Sequence, residues 1–525
     1  MSDTTETTPS PCTSPRRFDP SAVPIAVHSD SYKFTHPEMY PPARAMSAYI
    51  EARRPFEGGD DHRVVHYGTR YLVERWLMRR WTHADVDAAE AFFATFNAGH
   101  TPHPVPRDLL ARVVDEHDGW FPVTIDALPD GSVVYARTPQ LVITAEGDFA
   151  RLVTWLETVA LQTIWYMSTV ATHSRLTVSA IRDAFERSAD PDAFWKLGSR
   201  LHDFGFRGCT SAEQAIMGGS AHLLNSDGTD TTVAAWYATH HLNGGRPIGS
   251  SIPATEHSVM TAWPTELGAV ERVVDRYGAG VFATVADSYD YAGFLAGVVP
   301  AVAPRVKAKG GFHVVRPDSG DPVQCVVDGL RALERAYGAT TNGRGFKVID
   351  GAGVIQGDGI DRHVVAEILE AAMAAGYSAE NCAFGMGAGL LQRLNRDTLG
   401  YACKLSWRQA PDGVEHDVMK VPRTDDAKAS LPGRLDVVPA WFDREQGVPM
   451  PQVWPLDESP GGSMLRRVWD RGPVDGVFES FDDVRARVER EWSGLPPQAP
   501  LPVWSEALQA RRAEVIGGMR ARPSG

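Results

Sequence analysis

The feature of this 525-residue chain that most restricts its fold is a repeated pattern, in which a short apolar run is followed directly by a polar or glycine-rich loop. VFATVA precedes Asp287, FHVV precedes Arg316, VIQ precedes Gly357 and CAF precedes Gly385. Counted from His257, these positions follow at steps of 30, 29, 41 and 28 residues. Each step accommodates one strand, one helix and two connections. The pattern predicts an irregular β/α barrel, with a functional face formed by the loops at the C-terminal ends of its parallel strands.

The chain is too long for one small core, and its composition divides it into four parts. Residues 1–18 are polar and predict a disordered tail rather than a signal peptide. Residues 19–190 are expected to form the N-terminal part of an α+β domain, which includes a strand at Ala45–Glu51. Residues 191–400 hold the barrel. Residues 401–525 are rich in Pro, Gly and Trp, and we expect them to return to the first domain because their tryptophans must be buried.

Apolar residues at helical spacing predict helices in both domains. The predicted helices are Gly68–Trp81, Asp85–Asn97, Phe149–Trp165, Val170–Arg187, Glu266–Tyr277, Val323–Tyr337, Arg362–Ala375 and Leu390–Leu399. Gly338 and Gly376 are typical helix ends. Alternating residues over Val123–Gly147, on both sides of a Pro-Asp-Gly turn, predict a small antiparallel sheet.

Composition argues against several classes of function. A net charge of −14 makes binding to nucleic acid or to an anionic membrane an improbable main activity. The five cysteines are scattered, without a C-x-x-C pair, so a disulfide scaffold or zinc site is not expected and a reducing cytoplasm is favoured. The longest weakly polar stretch, Tyr291–Pro304, contains two prolines and is shorter than the ~20 residues of a membrane helix.

Several basic residues lie in or after the loop motifs, although the chain is acidic overall. Each one alone is equally well explained as solvated surface. Together with the glycine loops 357–359 and 385–389 they suit a ligand with several phosphates, because glycine lets backbone N–H groups approach phosphate closely. The basic residues are Arg207, Arg316, Arg396, Lys404, Lys420 and Lys428.

Acidic residues and one histidine form a second set in the same loops. Loop aspartates are more often turn-formers than ligands. Three on one face, Asp290, Asp318 and Asp358, could nevertheless bind ribose hydroxyls and the Mg²⁺ that accompanies a pyrophosphate. The simpler interpretation of His257, which follows Glu256, is that it forms structural hydrogen bonds rather than taking part in catalysis.

The motifs, taken in order, resemble the nicotinamide phosphoribosyltransferase family. They are HDFGFRG, GTD, PATEHS, ADSYD, RPDSGDP, VIQGDG and FGMGAGLLQRLNRD, with DSYKFTH near the N-terminus, and the match covers roughly residues 30–428. No single motif is specific, but their order would not recur by chance. The resemblance implies a cytoplasmic homodimer of NAD salvage. This type II phosphoribosyltransferase would join nicotinamide to phosphoribosyl pyrophosphate, releasing pyrophosphate and nicotinamide mononucleotide.

The same resemblance implies roles for individual residues. Phe204 and Tyr32 would hold the two faces of the pyridine ring, with Tyr32 and Asp30 supplied by the other subunit. Asp230 would accept the carboxamide N–H. Arg207, Ser251 and Arg316 would line the same pocket. The groups around ribose and phosphates would be Arg207, His257, Arg316, Asp318, Gly357, Asp358, Gly387, Ala388, Asp290, Arg53, Arg396, Lys404, Lys420 and Lys428.

The resemblance also implies a catalytic set and two cofactors. His257, Asp318 and Arg316 would carry catalysis. His257 matches the histidine that family members phosphorylate with ATP. Mg²⁺ would enter with the substrate pyrophosphate, with Asp290 and Asp318 as candidate ligands.

Three positions depart from the family pattern. Ala388 replaces the middle glycine of a triplet, and Ala286 and Ala402 replace serines. A backbone N–H survives a change from glycine to alanine where φ is negative, so Ala388 bears on phosphate affinity more than on activity. The lost hydroxyls could weaken contacts worth ~1 kcal/mol each.

Two alternative functions remain open from the sequence. A nicotinate phosphoribosyltransferase would have the same fold and donor, but the Asp230 carboxylate would repel the carboxylate of nicotinate. A non-catalytic binding protein on the same fold would have no need to keep His257, Asp230, Arg316 and Asp318 together.

Overall fold

A computed structural model describes residues 19–56, 59–97, 99, 101–422, 429–443, 445 and 447–521. In these residues the chain forms two six-stranded sheets and three two-stranded sheets. The tail predicted at residues 1–18 lies outside the described part of the chain. The domain boundaries given above therefore stay predictions.

The strands are β1 (Ala45–Glu51), β2 (Arg63–Val65), β3 (Val123–Ala127), β4 (Val133–Tyr135), β5 (Pro139–Glu146), β6 (Leu201–Asp203), β7 (Gly228–Thr229), β8 (Val281–Val285), β9 (Phe312–Arg316), β10 (Ala339–Thr341), β11 (Lys347–Ile349), β12 (Ala352–Gln356), β13 (Cys382–Met386), β14 (Ala402–Gln409), β15 (Glu415–Asp417), β16 (Leu435–Ala440), β17 (Met450–Pro455) and β18 (Arg466–Asp470).

The helices are α1 (His36–Met39), α2 (Thr69–Leu72), α3 (His83–Phe93), α4 (Arg107–His117), α5 (Glu157–Ser188), α6 (Ala212–Leu223), α7 (Thr232–Tyr237), α8 (His257–Thr261), α9 (Glu266–Tyr277), α10 (Tyr291–Gly293), α11 (Val299–Lys309), α12 (Pro322–Tyr337), α13 (Arg362–Ala374), α14 (Ala388–Leu391), α15 (Phe481–Gly494) and α16 (Glu506–Ala521). No helix in this part of the chain is both long and apolar enough to cross a membrane.

The first sheet joins distant parts of the chain. Its strand order is β15-β14-β1-β5-β3-β18, so strands from before residue 150 pair with strands from after residue 400. β1 has the predicted bounds and lies between β5 and β14, antiparallel to both. Trp469 of β18 is fully buried, and its indole N–H donates to the carbonyl of Phe121 at 3.0 Å. The C-terminal segment thus returns to the N-terminal one and buries a tryptophan there.

The second sheet is parallel and curled. Its order is β7-β6-β13-β12-β9-β8. The segment from Ser250 to Ala254 connects the two edge strands, because Ser250 bridges to Gly228 and Ala254 bridges to Ala283, both in parallel. Thr229 N donates to the carbonyl of Ser250 at 3.0 Å, and Ala283 N donates to that of Pro253 at 2.8 Å. The predicted α/β architecture, an irregular β/α barrel with a second domain, is confirmed.

Short aliphatic side chains from four strands form a cluster on the inner face of the curled sheet. Ala283, Val314, Ile355 and Ala383, from four of its strands, form one cluster, and Phe204 packs against them. Helices α9, α11, α12 and α13 cover the outside, where larger apolar residues make a continuous core. The loops that follow these strands lie at the C-terminal ends of the sheet.

Helices α9, α12 and α13 have the predicted bounds to within one residue. The two helices predicted at 149–165 and 170–187 are one 32-residue helix, α5, preceded by a 3₁₀ segment at Gly147–Leu152. The helix predicted at Leu390–Leu399 is wrong, because α14 ends at Leu391. Side-chain turns replace it: Asn395 Oδ1 accepts from Asp397 N at 2.8 Å and Thr398 Oγ1 accepts from Asn395 N at 3.1 Å.

The Pro-Asp-Gly turn does not close a simple hairpin. β3 pairs with β5, whereas β4 pairs with β2. The reason lies in Asp130, whose carboxylate accepts from Gly68 N at 2.9 Å, Thr69 N at 3.0 Å and Arg70 N at 3.1 Å. The turn therefore caps the start of α2 and directs β4 away from its neighbours in the chain.

Candidate active site

Six loops follow the C-terminal ends of the parallel strands and meet at one rim. They carry Phe204 after β6, Asp230 after β7, Ser288 and Asp290 after β8, Asp318 after β9, Gly357 and Asp358 after β12, and Gly387 and Ala388 after β13. The segment that closes the curled sheet adds Ser251 and leads into His257, the first residue of α8.

His257 is the centre of a hydrogen-bonded group at this rim. Its Nδ1 lies 3.0 Å from Ser288 Oγ, and its Nε2 lies 3.3 Å from Asp318 Oδ2. The same Asp318 oxygen lies 3.6 Å from Arg316 Nη2. The His257 side chain is 46% exposed, so its ring is held by loop contacts and remains open to a ligand. The three residues predicted to carry catalysis are brought together.

A neighbouring carboxylate fixes the loop that holds Asp318. Asp287 Oδ2 accepts from Asp318 N at 3.2 Å and also from the hydroxyl of Ser319. In the sequence, Asp287 marks only the spacing between successive loops, and no role is predicted for Ser288. The motif around them was visible, but the side chains it would contact depend on how loops from three strands meet.

The ring of Phe204 lies where several strand ends converge. A Cβ built on Gly357 would lie 3.1 Å from Asp318 Oδ1 and 3.6 Å from Phe204 Cε2. A Cβ on Gly385 would lie only 2.0 Å from the same ring atom. Gly385 therefore leaves the space that the ring occupies, a packing role that the sequence motif did not reveal.

Asp230 stands beside the Phe204 loop. Its backbone N–H donates to the carbonyl of Asp203 at 2.9 Å, and its carboxylate accepts from the Ser251 hydroxyl. Asp203 itself is buried, which raises its pKa to about 6, while a hydrogen bond from Gly205 N at 2.7 Å acts in the opposite direction. Arg207 lies in the next turn, Phe206–Gly208, and is exposed. Asp230 is thus hydrogen-bonded to the residue before Phe204, and the Arg207 cation follows Phe204 by three residues.

The acidic residues of the rim have different local roles. Asp290 caps α10, since its Oδ1 accepts from Ala292 N at 3.1 Å. Asp358 is exposed, and its carbonyl accepts from Gln356 Nε2 at 3.0 Å. Burial, together with the charges of Asp287 and Asp290, raises the pKa of Glu266. No group of three or more metal-binding side chains occurs among the residues described.

The glycine loop after β13 accommodates Ala388, one of the three positions that depart from the family pattern. It also shows why the next residue, Gly389, is a glycine. Ala388 begins α14 without a positive φ, so it keeps its backbone N–H. A Cβ on Gly389, in contrast, would lie 2.5 Å from the carbonyl oxygen of Ile360. The loop therefore tolerates alanine at 388 but packs too closely against its neighbour for a side chain at 389.

The remaining predicted phosphate ligands that the structure describes lie on or next to the first sheet, in or near β1, β14 and the loop before β14. Arg53 follows β1 and donates through Nε to the carbonyl of Gly400 at 2.6 Å. Burial lowers the pKa of Lys404, and the nearby Arg53 and Lys420 cations act in the same direction. Arg396 is close enough to Tyr32 for its charge to act on the pKa of that phenol, which burial raises. We call Arg53, Arg396, Lys404 and Lys420 the basic cluster; Lys428 lies outside the described residues.

Tyr32 belongs with the basic cluster rather than with the rim of its own chain. It is 51% exposed, its hydroxyl donates to Asp30 Oδ2 at 3.4 Å, and its ring lies 5.1 Å from that of His36. Within the described part of one chain, no ring contact joins it to Phe204. The structure therefore divides the predicted site residues into two groups.

Some buried polar atoms of the rim lack a hydrogen-bond partner within the described part of the protein. They are Arg316 Nε, Asp287 Oδ1 and Gln356 Oε1. Buried polar groups in folded proteins are nearly always paired, so such atoms indicate where a ligand or ordered water binds. The fold and the rim together define a β/α-barrel enzyme whose strand ends present arginine, histidine and carboxylate groups to a charged ligand.

Comparisons with known proteins narrow this class. Residues 199–471 match the nicotinate phosphoribosyltransferase (NAPRTase) family. Residues 24–125 match the N-terminal domain of nicotinamide phosphoribosyltransferase. The chain belongs to the nicotinate phosphoribosyltransferase family, and the resemblance inferred from its motifs is confirmed.

Relatives agree with that assignment, and solved structures agree with the fold. A nicotinamide phosphoribosyltransferase of Xanthomonas campestris pv. campestris is 38% identical over 480 residues, covering 89% of this chain and 98% of the relative. One from Acinetobacter baylyi is 30% identical over 416 residues, covering 72% and 80%. The fold is similar to human nicotinic acid phosphoribosyltransferase, with a TM-score of 0.60 at 17% identity over 93% of this chain and 99% of that one. It is also similar to a nicotinate-nucleotide pyrophosphorylase from Pyrococcus furiosus, with a TM-score of 0.57 at 15% identity over 91% and 98%.

The close approach at Gly385 gives a prediction about the rim. Gly385→Ala should displace the Phe204 ring and destabilise the fold by about 1–3 kcal/mol, the usual cost of overpacking. Gly297→Ala is the control, because a Cβ there meets nothing within 4 Å. Urea denaturation measures the cost, and a crystal structure of the variant shows the ring. An unmoved ring with an unchanged midpoint would contradict the proposed packing role.

Proposed function

We propose that this protein transfers the phosphoribosyl group of phosphoribosyl pyrophosphate to nicotinamide, forming nicotinamide mononucleotide and pyrophosphate in NAD salvage in the cytoplasm. The observation that carries the proposal is the Asp230 carboxylate at the rim, where it accepts from the Ser251 hydroxyl while the Asp230 N–H donates to the carbonyl of Asp203, the residue before Phe204. A carboxylate can accept the N–H of a carboxamide but repels a carboxylate. The relatives named nicotinamide phosphoribosyltransferase support the same choice.

The rim suits a displacement at the anomeric carbon of ribose. Such a reaction passes through an oxocarbenium-like state while pyrophosphate leaves, so it depends on placed charges more than on a protein nucleophile. Arg316, with its Nε unpaired, would meet the departing phosphates. Asp318, on the same side, would stabilise the developing positive charge or hold a ribose hydroxyl. Gly357, next to Asp318, keeps that space open for the sugar.

The rim also fits a magnesium ion that enters with its substrate. Mg²⁺ usually takes one or two carboxylates and completes its shell with substrate phosphate and water, so a three-residue cluster is not needed. Asp290 and Asp318 would hold it, and the unpaired Oδ1 of Asp287 adds a third oxygen nearby. Bound there, the ion would neutralise charge on the leaving pyrophosphate.

His257 is proposed as the residue that ATP phosphorylates to drive the reaction. Its position supports this: the ring is half exposed and points at both Ser288 and Asp318. A carboxylate on one ring nitrogen fixes the tautomer and leaves the other nitrogen nucleophilic once Ser288 moves aside.

The two separate groups of site residues support a shared site in a homodimer. No hydrogen bond, ion pair or ring contact among the described residues joins the basic cluster or Tyr32 to the rim of their own chain, although both groups suit the same substrates. We propose that each barrel is completed by Tyr32, Asp30, Arg53, Arg396, Lys404, Lys420 and Lys428 of a second copy.

Two other functions are compatible with the same fold. One is a nicotinate phosphoribosyltransferase, consistent with the family model but disfavoured by Asp230. The other is a non-catalytic binding protein on the same fold. Thermal-shift titrations with nicotinamide, nicotinate and phosphoribosyl pyrophosphate distinguish the two transferases, because a nicotinamide enzyme binds the first and third but not the second. A non-catalytic protein is distinguished by the absence of product formation.

Base choice is tested at Asp230. Asp230→Asn keeps the shape of the side chain and can offer an N–H to a carboxylate, so kcat/KM for nicotinate should rise relative to nicotinamide by about tenfold or more, equal to ~1.4 kcal/mol. Asp328→Asn is the control, because it removes the same charge from the outer helix α12. If the ratio stays the same in Asp230→Asn, this carboxylate does not face the base.

Energy coupling is tested at His257. His257→Ala should abolish ATP hydrolysis linked to turnover and cut product formation, while the fold stays intact because the ring is half exposed. His83→Ala, which removes an exposed histidine far along the chain, should leave coupling unchanged. Persistence of ATP stimulation in His257→Ala would place phosphorylation elsewhere or remove it.

The shared site is tested by complementation. Tyr32→Ala and His257→Ala should each impair activity as homodimers, since each defect affects both sites. In a mixed dimer one site collects both defects and the other neither, so co-expression should restore part of the activity. Differently tagged subunits allow mixed dimers to be purified and assayed. No recovery over either parent would mean that Tyr32 serves its own chain's site or none.

A further inference from the structure

Gln392, the residue that follows α14, lies between two loops of the rim. Its backbone N–H donates to the carbonyl of Ala388 at 3.0 Å. Its side-chain Nε2 donates to the carbonyl of Gly205 at 2.9 Å and to Cys209 Sγ at 3.0 Å. One residue is thus hydrogen-bonded both to the glycine loop after β13 and to the loop after β6.

The amide of Gln392 has a fixed orientation. A backbone carbonyl can only accept a hydrogen bond, so the nitrogen of the amide, and not its oxygen, must face Gly205. The oxygen, Oε1, is buried and has no hydrogen-bond partner in the described part of the protein. The Gly205 carbonyl also accepts from Gly208 N at 3.0 Å, so it would stay paired without Gln392. Pairing of buried polar groups therefore does not require an amide at this position.

The loop that the amide holds carries groups that are proposed to bind the base. Phe204 directly precedes Gly205, and Arg207 follows it by two residues. A Cβ on Gly205 would lie only 2.7 Å from Leu391 Cδ1, so the loop packs closely against α14. Through this packing and the hydrogen bond from Gln392, the position of the loop after β6 depends on the position of α14.

The backbone of Gln392 is bonded to the loop at which phosphate is predicted to bind. Gly387 and Ala388 are predicted phosphate-binding positions, and Ala388 is the first residue of α14. The carbonyl of Ala388 accepts the N–H of Gln392, so a shift of this turn carries Gln392 with it. A phosphate bound at the glycine loop would therefore act on Gly205 through one residue.

We propose that Gln392 is a positioning residue that couples occupation of the glycine loop by phosphate to the affinity for nicotinamide at the loop of Phe204. The inference rests on the proposed function, because it assigns a role within the same site. Gln392 acts through its two neighbours: its amide fixes the Gly205 carbonyl relative to Ala388, so the two loops take their binding positions together. By thermodynamic linkage, nicotinamide strengthens binding of the phosphate ligand by the same factor.

The test measures nicotinamide affinity by calorimetry on the full-length protein, with and without saturating ribose 5-phosphate. This probe keeps the sugar and phosphate of phosphoribosyl pyrophosphate but lacks its leaving group, so no turnover occurs. In the wild type, ribose 5-phosphate should tighten nicotinamide binding about fivefold or more. In Gln392→Met, which has a side chain of similar length without a donor, this ratio should fall to within about twofold of one.

A matched control is Gln452→Met. Gln452 Nε2 also donates to a backbone carbonyl, that of Pro502 at 2.9 Å, but it lies on β17, outside the parallel sheet. This variant should keep the wild-type ratio. Gln392→Asn retains an amide but is shorter by one methylene, so it should not reach Gly205 and should lose the coupling as Gln392→Met does. Urea denaturation establishes that each variant is folded.

The ratio distinguishes coupling from a merely structural role. A structural role would weaken nicotinamide binding equally with and without ribose 5-phosphate, and an unchanged ratio in folded Gln392→Met or Gln392→Asn would overturn the proposal. A wild-type ratio of one, or an equal loss in Gln452→Met, would also overturn it. In these cases nicotinamide still binds, so the proposed function is unaffected. A wild type that binds no nicotinamide in either condition would contradict the proposed function itself, and the inference with it.

Discussion

The rim depends on how the curled parallel sheet is closed. Its edge strands, β7 and β8, do not pair with each other, and the segment from Ser250 to Ala254 holds them with one bridge at each end. Thr255 strengthens the second attachment, because its hydroxyl accepts from Val285 N at 2.9 Å. With both ends pinned, Ser251 meets Asp230 on one side and His257 meets Asp318 on the other. Residues from distant parts of the chain thus share one rim because of the segment from Ser250 to Ala254, which pairs with the sheet only through two isolated bridges.

Volume is the second constraint on the rim. Two large rings sit at the end of β6 and beyond it, and glycines on adjacent strands make room for them. A Cβ on Gly385 would overlap the Phe204 ring, and one on Gly228 would lie 2.7 Å from Cγ of His202. In the sequence, the glycine loop that contains Gly385 indicated close approach to phosphate. In the structure, packing already requires Gly385, so a glycine at this position does not by itself indicate a ligand.

Local patterns predicted most of the fold because they are set by local physics. The apolar runs before Asp287, Arg316 and Gly385 are β8, β9 and β13, and helix α9 has the predicted bounds. The failures arose where a distant contact decides the outcome. Asp130 was read as a turn-former, but its carboxylate binds backbone N–H groups at the start of α2 and moves β4 to another partner. The order of residues along the chain does not show which distant backbone groups the side chain of a turn residue will bind.

In the candidate site, too, the sequence predicted features that depend on local pattern and not those that depend on distant contacts. Sequence motifs predicted that His257, Arg316 and Asp318 belong together, since loops after parallel strands share one face. They did not reveal Ser288 as the partner of His257, because that choice depends on a 3.0 Å contact between two loops.

A buried carboxylate, Glu51, lies among the cations of the basic cluster and partly balances their charge. Glu51 is fully buried beneath it and lies 3.3 Å from Arg137. Burial raises the pKa of this carboxyl, while the Arg137, Arg53 and Lys404 cations lower it, so the cations favour its charged form. The balance is incomplete, because the pKa of Lys404 remains below its ordinary value as a result of burial and of the Arg53 and Lys420 charges. An anion bound among these side chains would relieve that repulsion and raise the pKa of Lys404 again. By linkage, the cluster would then hold its protons more tightly with the anion than without it, and relief of the repulsion would contribute to the affinity of the proposed phosphate site.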